Sequence, residues 1–152
     1  MIPTTTRVEQ HTDRAINEQI QRRTEQRLAA AARQGEDDID RRLEELDQEW
    51  DIERTLEANA ATIALFGLGL GALVNRRFFM LPAVVAGFLL QHAVQGWCPP
   101  VPVFRRLGIR TAREIDLERY GLKALRGDFN SLTETHAVED TKAKQVLDAM
   151  NR

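Results

Sequence analysis

Two long runs without a charged side chain dominate the pattern of apolar and polar positions. Residues 58–74 (ANAATIALFGLGLGALV) are seventeen in number, residues 78–97 (FFMLPAVVAGFLLQHAVQGW) twenty, and only Asn75, Arg76 and Arg77 separate them. As helices they would be about 26 and 30 Å long at about 1.5 Å per residue, close to the hydrocarbon thickness of a bilayer. From Ala60 to Val74 the only polar side chain is Thr62, so no face of the first helix is suited to water. The competing reading is a hairpin buried inside a soluble oligomer. A chain of 152 residues has too little else to enclose two such helices on all sides. The pattern therefore predicts an all-α membrane protein with a two-helix transmembrane hairpin at 58–98. A charged helical segment, 1–57, precedes it, and a Cys-Pro strap with amphipathic helices, 99–152, follows.

The N-terminal segment has helical composition, with no Gly except Gly35 and no Pro after Pro3. Thr6 and Glu9 fit a capping box, which predicts a helix from about Arg7 to Gln34, stopped by Gly35. A second helix starts near Glu36, with Ile39, Leu43, Leu46 and Trp50 on a narrow coiled-coil-like seam. Ile52 and Leu56 then lead into the first apolar helix without a breaker. After the hairpin, Thr111 and Glu114 form a second capping box, opening a helix that ends near Arg126 at Gly127. Ser131 and Glu134 allow a third, with Val138, Val146, Leu147 and Met150 on a weak terminal helix.

Charge refines this picture. The chain is 43% hydrophobic and 29% charged, values of an ordinary soluble domain that mislead because the apolar residues lie in one block. Residues 1–34 carry six Arg and four acids, residues 35–57 three Arg and eleven acids. The favoured reading is two solvated helices; the sharper one is a hairpin bent at Gly35, basic arm on acidic arm, or a self-pairing coil. Residues 98–126 hold seven Lys or Arg against three acids. Arg105, Arg106, Arg110 and Arg113 are expected to face anionic lipid headgroups, with docking on the acidic 35–57 segment as the alternative. Arg41, Arg42 and Arg54 on one flank and these four on the other, against Arg76 and Arg77 in the turn, place both termini in the cytoplasm. The N-terminus has no apolar h-region of a cleavable signal peptide, so the first apolar helix is expected to serve as the insertion signal. The net charge of -2 and the lack of a motif argue against a nucleic-acid partner.

Within the hairpin, helices in lipid associate by close packing, which needs small residues. Ala60, Ala64, Gly67 and Gly71 share one face of the first helix, and Ala83, Gly87, Gln91 and Gln95 one face of the second. The simplest arrangement sets these faces together, while a homodimer through Gly67 and Gly71 competes. Pro82 falls in the first turn of the second helix, where its missing N–H costs little. Gln91, His92 and Gln95 are the strongly polar side chains at membrane depth. For His92 a hydrogen bond to a nearby carbonyl or headgroup outweighs a proton or metal site, because no carboxylate or Cys lies at helical spacing within the span. No cofactor and no metal are expected.

The second run ends in Gly96-Trp97-Cys98-Pro99-Pro100-Val101-Pro102, which should stop the helix and force an extended strap. Trp97 sits at headgroup depth, and the lone Cys98 becomes an interfacial thiol near Arg105 and Arg106. Gly96-Trp97-Cys98-Pro99 followed by Leu107-Gly108-Ile109-Arg110-Thr111, after two apolar helices, resembles the YgaP-like transmembrane domain family. The resemblance covers about Glu57 to Thr111 and implies a bacterial inner-membrane hairpin. Better-known members join it to a rhodanese sulfurtransferase domain. The N-terminal segment here has no active-site Cys loop, so the sulfur chemistry is not implied with the hairpin. The expected function is a non-enzymatic membrane anchor or scaffold that self-associates or recruits a partner protein. A sulfur or redox relay through Cys98 is the alternative, and a small oligomeric conduit a weaker one.

Overall fold

Backbone hydrogen bonding follows the helical composition almost everywhere. The computed structural model describes residues 5–130 and 139–150. Helix makes up 82% of it, and no strand occurs among the described residues. The elements are α1 (Arg7–Gln10), α2 (Arg14–Gln34), α3 (Glu36–Gln48), α4 (Ile52–Leu73), a 3₁₀ turn (Arg76–Phe79), α5 (Met80–Gln95), α6 (Val101–Arg106), α7 (Ala112–Arg126) and α8 (Glu139–Met150). The third capping box, Ser131 with Glu134, and Val138 lie outside the described residues.

Helix ends are set by the residues that suit them. Gly35, Gly96, Gly108 and Gly127 have positive φ, which side chains bearing a Cβ rarely adopt. Asp51 caps α4 by accepting from the Arg54 amide, and Asn75 caps the 3₁₀ turn by accepting from the Arg77 amide. Three expectations are corrected here. Thr6 makes no side-chain cap, the first helix stops after one turn, and a longer one starts beyond Asp13, whose carboxylate accepts from the Ala15 amide. The seam does not run on into the hairpin, because α3 ends at Gln48 and Asp51 opens a new helix, leaving Trp50 exposed. The Cys-Pro strap is not extended: Val101–Arg106 is helical, with Pro102 in the first turn, where no amide hydrogen bond is lost.

Contacts divide the chain into two compact units that cut across the linear segments: Met1–Gln21 with Trp50–Arg113, and Arg22–Glu49 with Glu114–Arg152. In the first, α4 and α5 pack as a hairpin. Ala60, Gly67 and Gly71 are buried, and Gly67 lies against Leu81 and Pro82. The small-residue face of α4 is thus used inside the hairpin. The matching face on α5 is corrected. Ala83, Gly87 and Gln95 are exposed and a Cβ on Gly87 would meet nothing, whereas Leu81, Pro82, Val85, Leu89 and His92 turn inward. The rest of the hairpin surface is apolar and open, including Leu65, Phe66, Leu73, Leu90 and Val94. Two helical stretches, Glu36–Leu73 and Arg76–Gln95, contain windows long and apolar enough to cross a membrane, of which only 22% and 6% is buried. A core helix of a soluble protein would be mostly covered.

In the second unit, Leu28 and Ala31 of α2, Ile39, Leu43 and Leu46 of α3, and Ile115 and Leu122 of α7 form one core. Gly121 lets α7 lie close to α2, since a Cβ there would stand 2.9 Å from a Leu28 methyl. Gly35 reverses the chain between α2 and α3, so these two helices share a core instead of standing apart in solvent. The basic helix α7 binds the acidic α3: Arg119 pairs with Asp47, Arg126 with Asp40, and Arg42 with Glu118. Of the two dockings weighed for the basic segment, these α7 residues take the acidic one.

Candidate functional site

The ends of α4 and α5 opposite the Asn75-Arg76-Arg77 turn carry a cluster of charged and polar side chains. Glu53 lies in the first turn of α4 and His92 in the last turn of α5, where a negative and a basic group each complement the helix dipole. His92 Nε2 donates to Glu53 Oε2 at 2.7 Å. Arg7, on α1, donates to Glu53 Oε1 at 3.0 Å and to the Ala93 carbonyl at 3.2 Å. The Arg7 stem occupies the space a Cβ on Gly96 would fill, at 2.5 Å from Cγ. His92 is only 4% exposed, and its Nδ1 is buried without a hydrogen-bond partner, as is Arg7 Nε. His92 therefore meets a carboxylate, and not the carbonyl or headgroup expected for it. That carboxylate stands 39 residues away, outside the apolar run, so spacing within the span could not reveal it.

Cys98 lies beside this cluster in a small apolar core with Val8, Ile52, Leu56 and Val101, and Phe104 and Ile109 pack against it. It is 2% exposed, so the expected interfacial thiol is corrected to a buried one. Burial pushes the thiol above its ordinary value, the Val101 amide opposes this, and the negative charge of Glu53 adds to the rise. Cys98 also walls an apolar groove of about 110 Å³ with Leu56, Ala60, Val85, Leu89 and Pro100.

The motif residues 107–111 tie α6 to the start of α4. Gly108 ends α6 with φ +87°, Ile109 enters the core, and the Arg110 carbonyl accepts from the Ile52 amide at 2.8 Å. Leu107 is exposed, Trp97 half-buried and Pro99 exposed. Two of the four arginines expected at lipid headgroups are buried instead. Arg105 is 0% exposed and donates to Thr12 Oγ1, Asn17 Oδ1 and the Ile109 carbonyl; Arg110 is 3% exposed. A buried guanidinium needs several acceptors, and the turn after α1 and the start of α2 supply them. Arg113 pairs with Glu9 at 2.8 Å, Thr111 donates to the same carboxylate at 3.2 Å, and Arg106 is exposed. Gln91 is half-buried. No group of three or more His, Cys, Asp or Glu fit to hold a metal occurs among the described residues.

What this arrangement offers chemically is a neutralised, hydrogen-bonded cluster that fixes the relative positions of α1, α4 and α5, next to a protonated thiol. Comparison with protein-family models, with curated proteins and with solved structures finds no match to this chain.

Proposed function

We propose that the protein is a non-enzymatic anchor or scaffold of a bacterial inner membrane, inserted through the α4–α5 hairpin. The observation that carries the reading is the continuous apolar surface of that hairpin. Leu65, Leu73, Leu90 and Val94 are each more than 65% exposed, which water disfavours and lipid tails accept. The YgaP-like resemblance adds the membrane and the bacterial setting. Both termini face the cytoplasm in this proposal, with the Asn75-Arg76-Arg77 turn outside. The charged helices α3 and α7 are then the part that meets a second copy or a partner protein. Burial of Cys98 supports a packing role for the thiol over a sulfur or redox relay.

Fractionation with alkaline carbonate extraction tests insertion, and reporter fusions at residue 152 test orientation. The protein should remain in the membrane pellet, and a cytoplasm-only reporter should be active at residue 152. Release into the carbonate supernatant would overturn the anchor. Activity of a periplasm-only reporter at that position would reverse the topology.

A further inference from the structure

The cluster of Arg7, Glu53 and His92 joins a one-turn helix to the two helices of the hairpin. α1 has four residues, too few to hold itself by backbone bonding, so its position depends on side chains. Its attachments are specific: Glu9 holds one side by accepting from Arg113 and Thr111, a hinge that stays in place, and Arg7 holds the side facing the hairpin. Arg7 reaches the Glu53 carboxylate and the Ala93 carbonyl, and its stem fills the notch left by Gly96. The next residue, Val8, is 3% exposed and closes the core containing Leu56 and Cys98. Leu56 and Cys98 are also walls of the apolar groove.

The hydrogen bonding of the cluster is asymmetric. With a carboxylate facing Nε2, that nitrogen is the one that donates to Glu53. Nδ1 has no partner, and neither has Arg7 Nε. Glu53 accepts from both α1 and α5, through one oxygen each. Neutralising that single carboxylate would remove the charge that holds Arg7 in place, while the packing of α4 on α5 through Gly67 and on the 3₁₀ turn through Gly71 lies further along the hairpin and is not involved.

We propose that α1 is a lid on the open end of the hairpin, latched by Arg7 to the Glu53–His92 pair, whose release lifts Val8 and uncovers Cys98 without unfolding α4 or α5. The lid regulates access to that end of the hairpin. This goes beyond the anchor reading and does not depend on what the exposed thiol then does.

The test uses the full-length protein in detergent at pH 7.5, with a thiol-reactive maleimide on the native Cys98 as the probe. Wild type, Glu53→Gln, Arg7→Gln and Arg7→Lys are compared, each beside its far-UV circular dichroism. Opening should raise the labelling rate about tenfold or more in Glu53→Gln and Arg7→Gln, because a charge-assisted bond is lost, with helix content unchanged. Arg7→Lys, which keeps the charge, should fall between these and wild type. A spin label at the exposed Gln10 in a Cys98→Ser background supplies the second measurement, and its spectrum should become mobile in Glu53→Gln. Equal labelling rates in all four proteins would overturn the lid. Fast labelling accompanied by lost helix content, or by an immobile spin label, would also overturn it, since the hairpin itself would then be opening.

Discussion

Gly71 lies directly beneath the ring of Phe79: a Cβ added at 71 would come within 2.7 Å of two ring carbons. Gly67 stands in the same relation to Pro82, at 2.8 Å, one helical turn earlier. These contacts set how closely α4 approaches the start of α5, and they place Gly67 and Gly71 inside the hairpin.

Gly71→Ala should therefore destabilise the hairpin by about 1–3 kcal/mol through overpacking. Gly87→Ala, where a Cβ meets nothing, should leave it unchanged or slightly more stable. Unfolding by a denaturing detergent, followed by helix content, separates the two. Equal effects at 71 and 87 would mean that backbone approach is not limiting.

The second expectation concerns pH. The Cys98 thiol is raised by burial, so the folded protein holds its proton at a pH where an unfolded chain has lost it. Stability from this group is full below the free thiol's value of about 8.5 and declines as pH rises above it. Alkylation of native Cys98 should reach half its maximal rate above about 8.5. In Cys98→Ser, the thiol's share of the alkaline loss of stability should disappear. A half-maximum below pH 8 would identify an activated thiol and revive the sulfur relay.

Arg42 makes the third. Its guanidinium donates to Glu118 at 2.8 Å and pairs also with Glu45 and Glu49, while Glu118 is wholly buried. Removing the cation leaves a buried carboxylate short of its main partner, and Arg42→Met should cost about 3 kcal/mol. Arg14→Met breaks an exposed pair with Glu18 and should cost no more than about 0.5 kcal/mol. Thermal melting of the two variants compares them directly. Similar losses would remove the special weight of the buried pair.

Gly35 provides the fourth. With φ +103° and ψ −172° it occupies a region open essentially to glycine, yet no atom lies within 4 Å of where a Cβ would stand. Gly35→Ala should lower stability by about 1–3 kcal/mol from backbone strain alone. Circular dichroism melts would show it, and an unaltered midpoint would mean that the α2–α3 junction relaxes freely.

Local signals were readable in the sequence wherever their cause was local. Gly35, Gly96 and Gly127 end helices because of their own backbone freedom, and residues 58–97 fold as a hairpin because no Asp, Glu, Lys or Arg interrupts either run. Partner choice was not readable. Glu53 and His92 are 39 residues apart, Arg105 and Asn17 are 88 apart, and spacing along one helix carries no trace of such pairs. The capping box at Thr6 failed for the same reason. Glu9, which should have reached back to the Thr6 amide, instead accepts from Arg113, 104 residues later. Arg105 illustrates the converse error: basic residues beside an apolar helix usually meet headgroups, unless the fold brings them protein acceptors first.

The interleaving of the two compact units also fixes an order of events during synthesis. Asp47 leaves the ribosome 72 residues before Arg119, its partner on α7. At about 5–20 residues per second, α3 waits roughly 4–14 s for that cation, and the whole hairpin is made in the meantime. An apolar helix left alone for so long would invite aggregation, whereas the dense acidic charge of α3 keeps it dissolved until α7 is made. The same acids that later hold α7 thus act first as a solubilising tag for an unfinished chain.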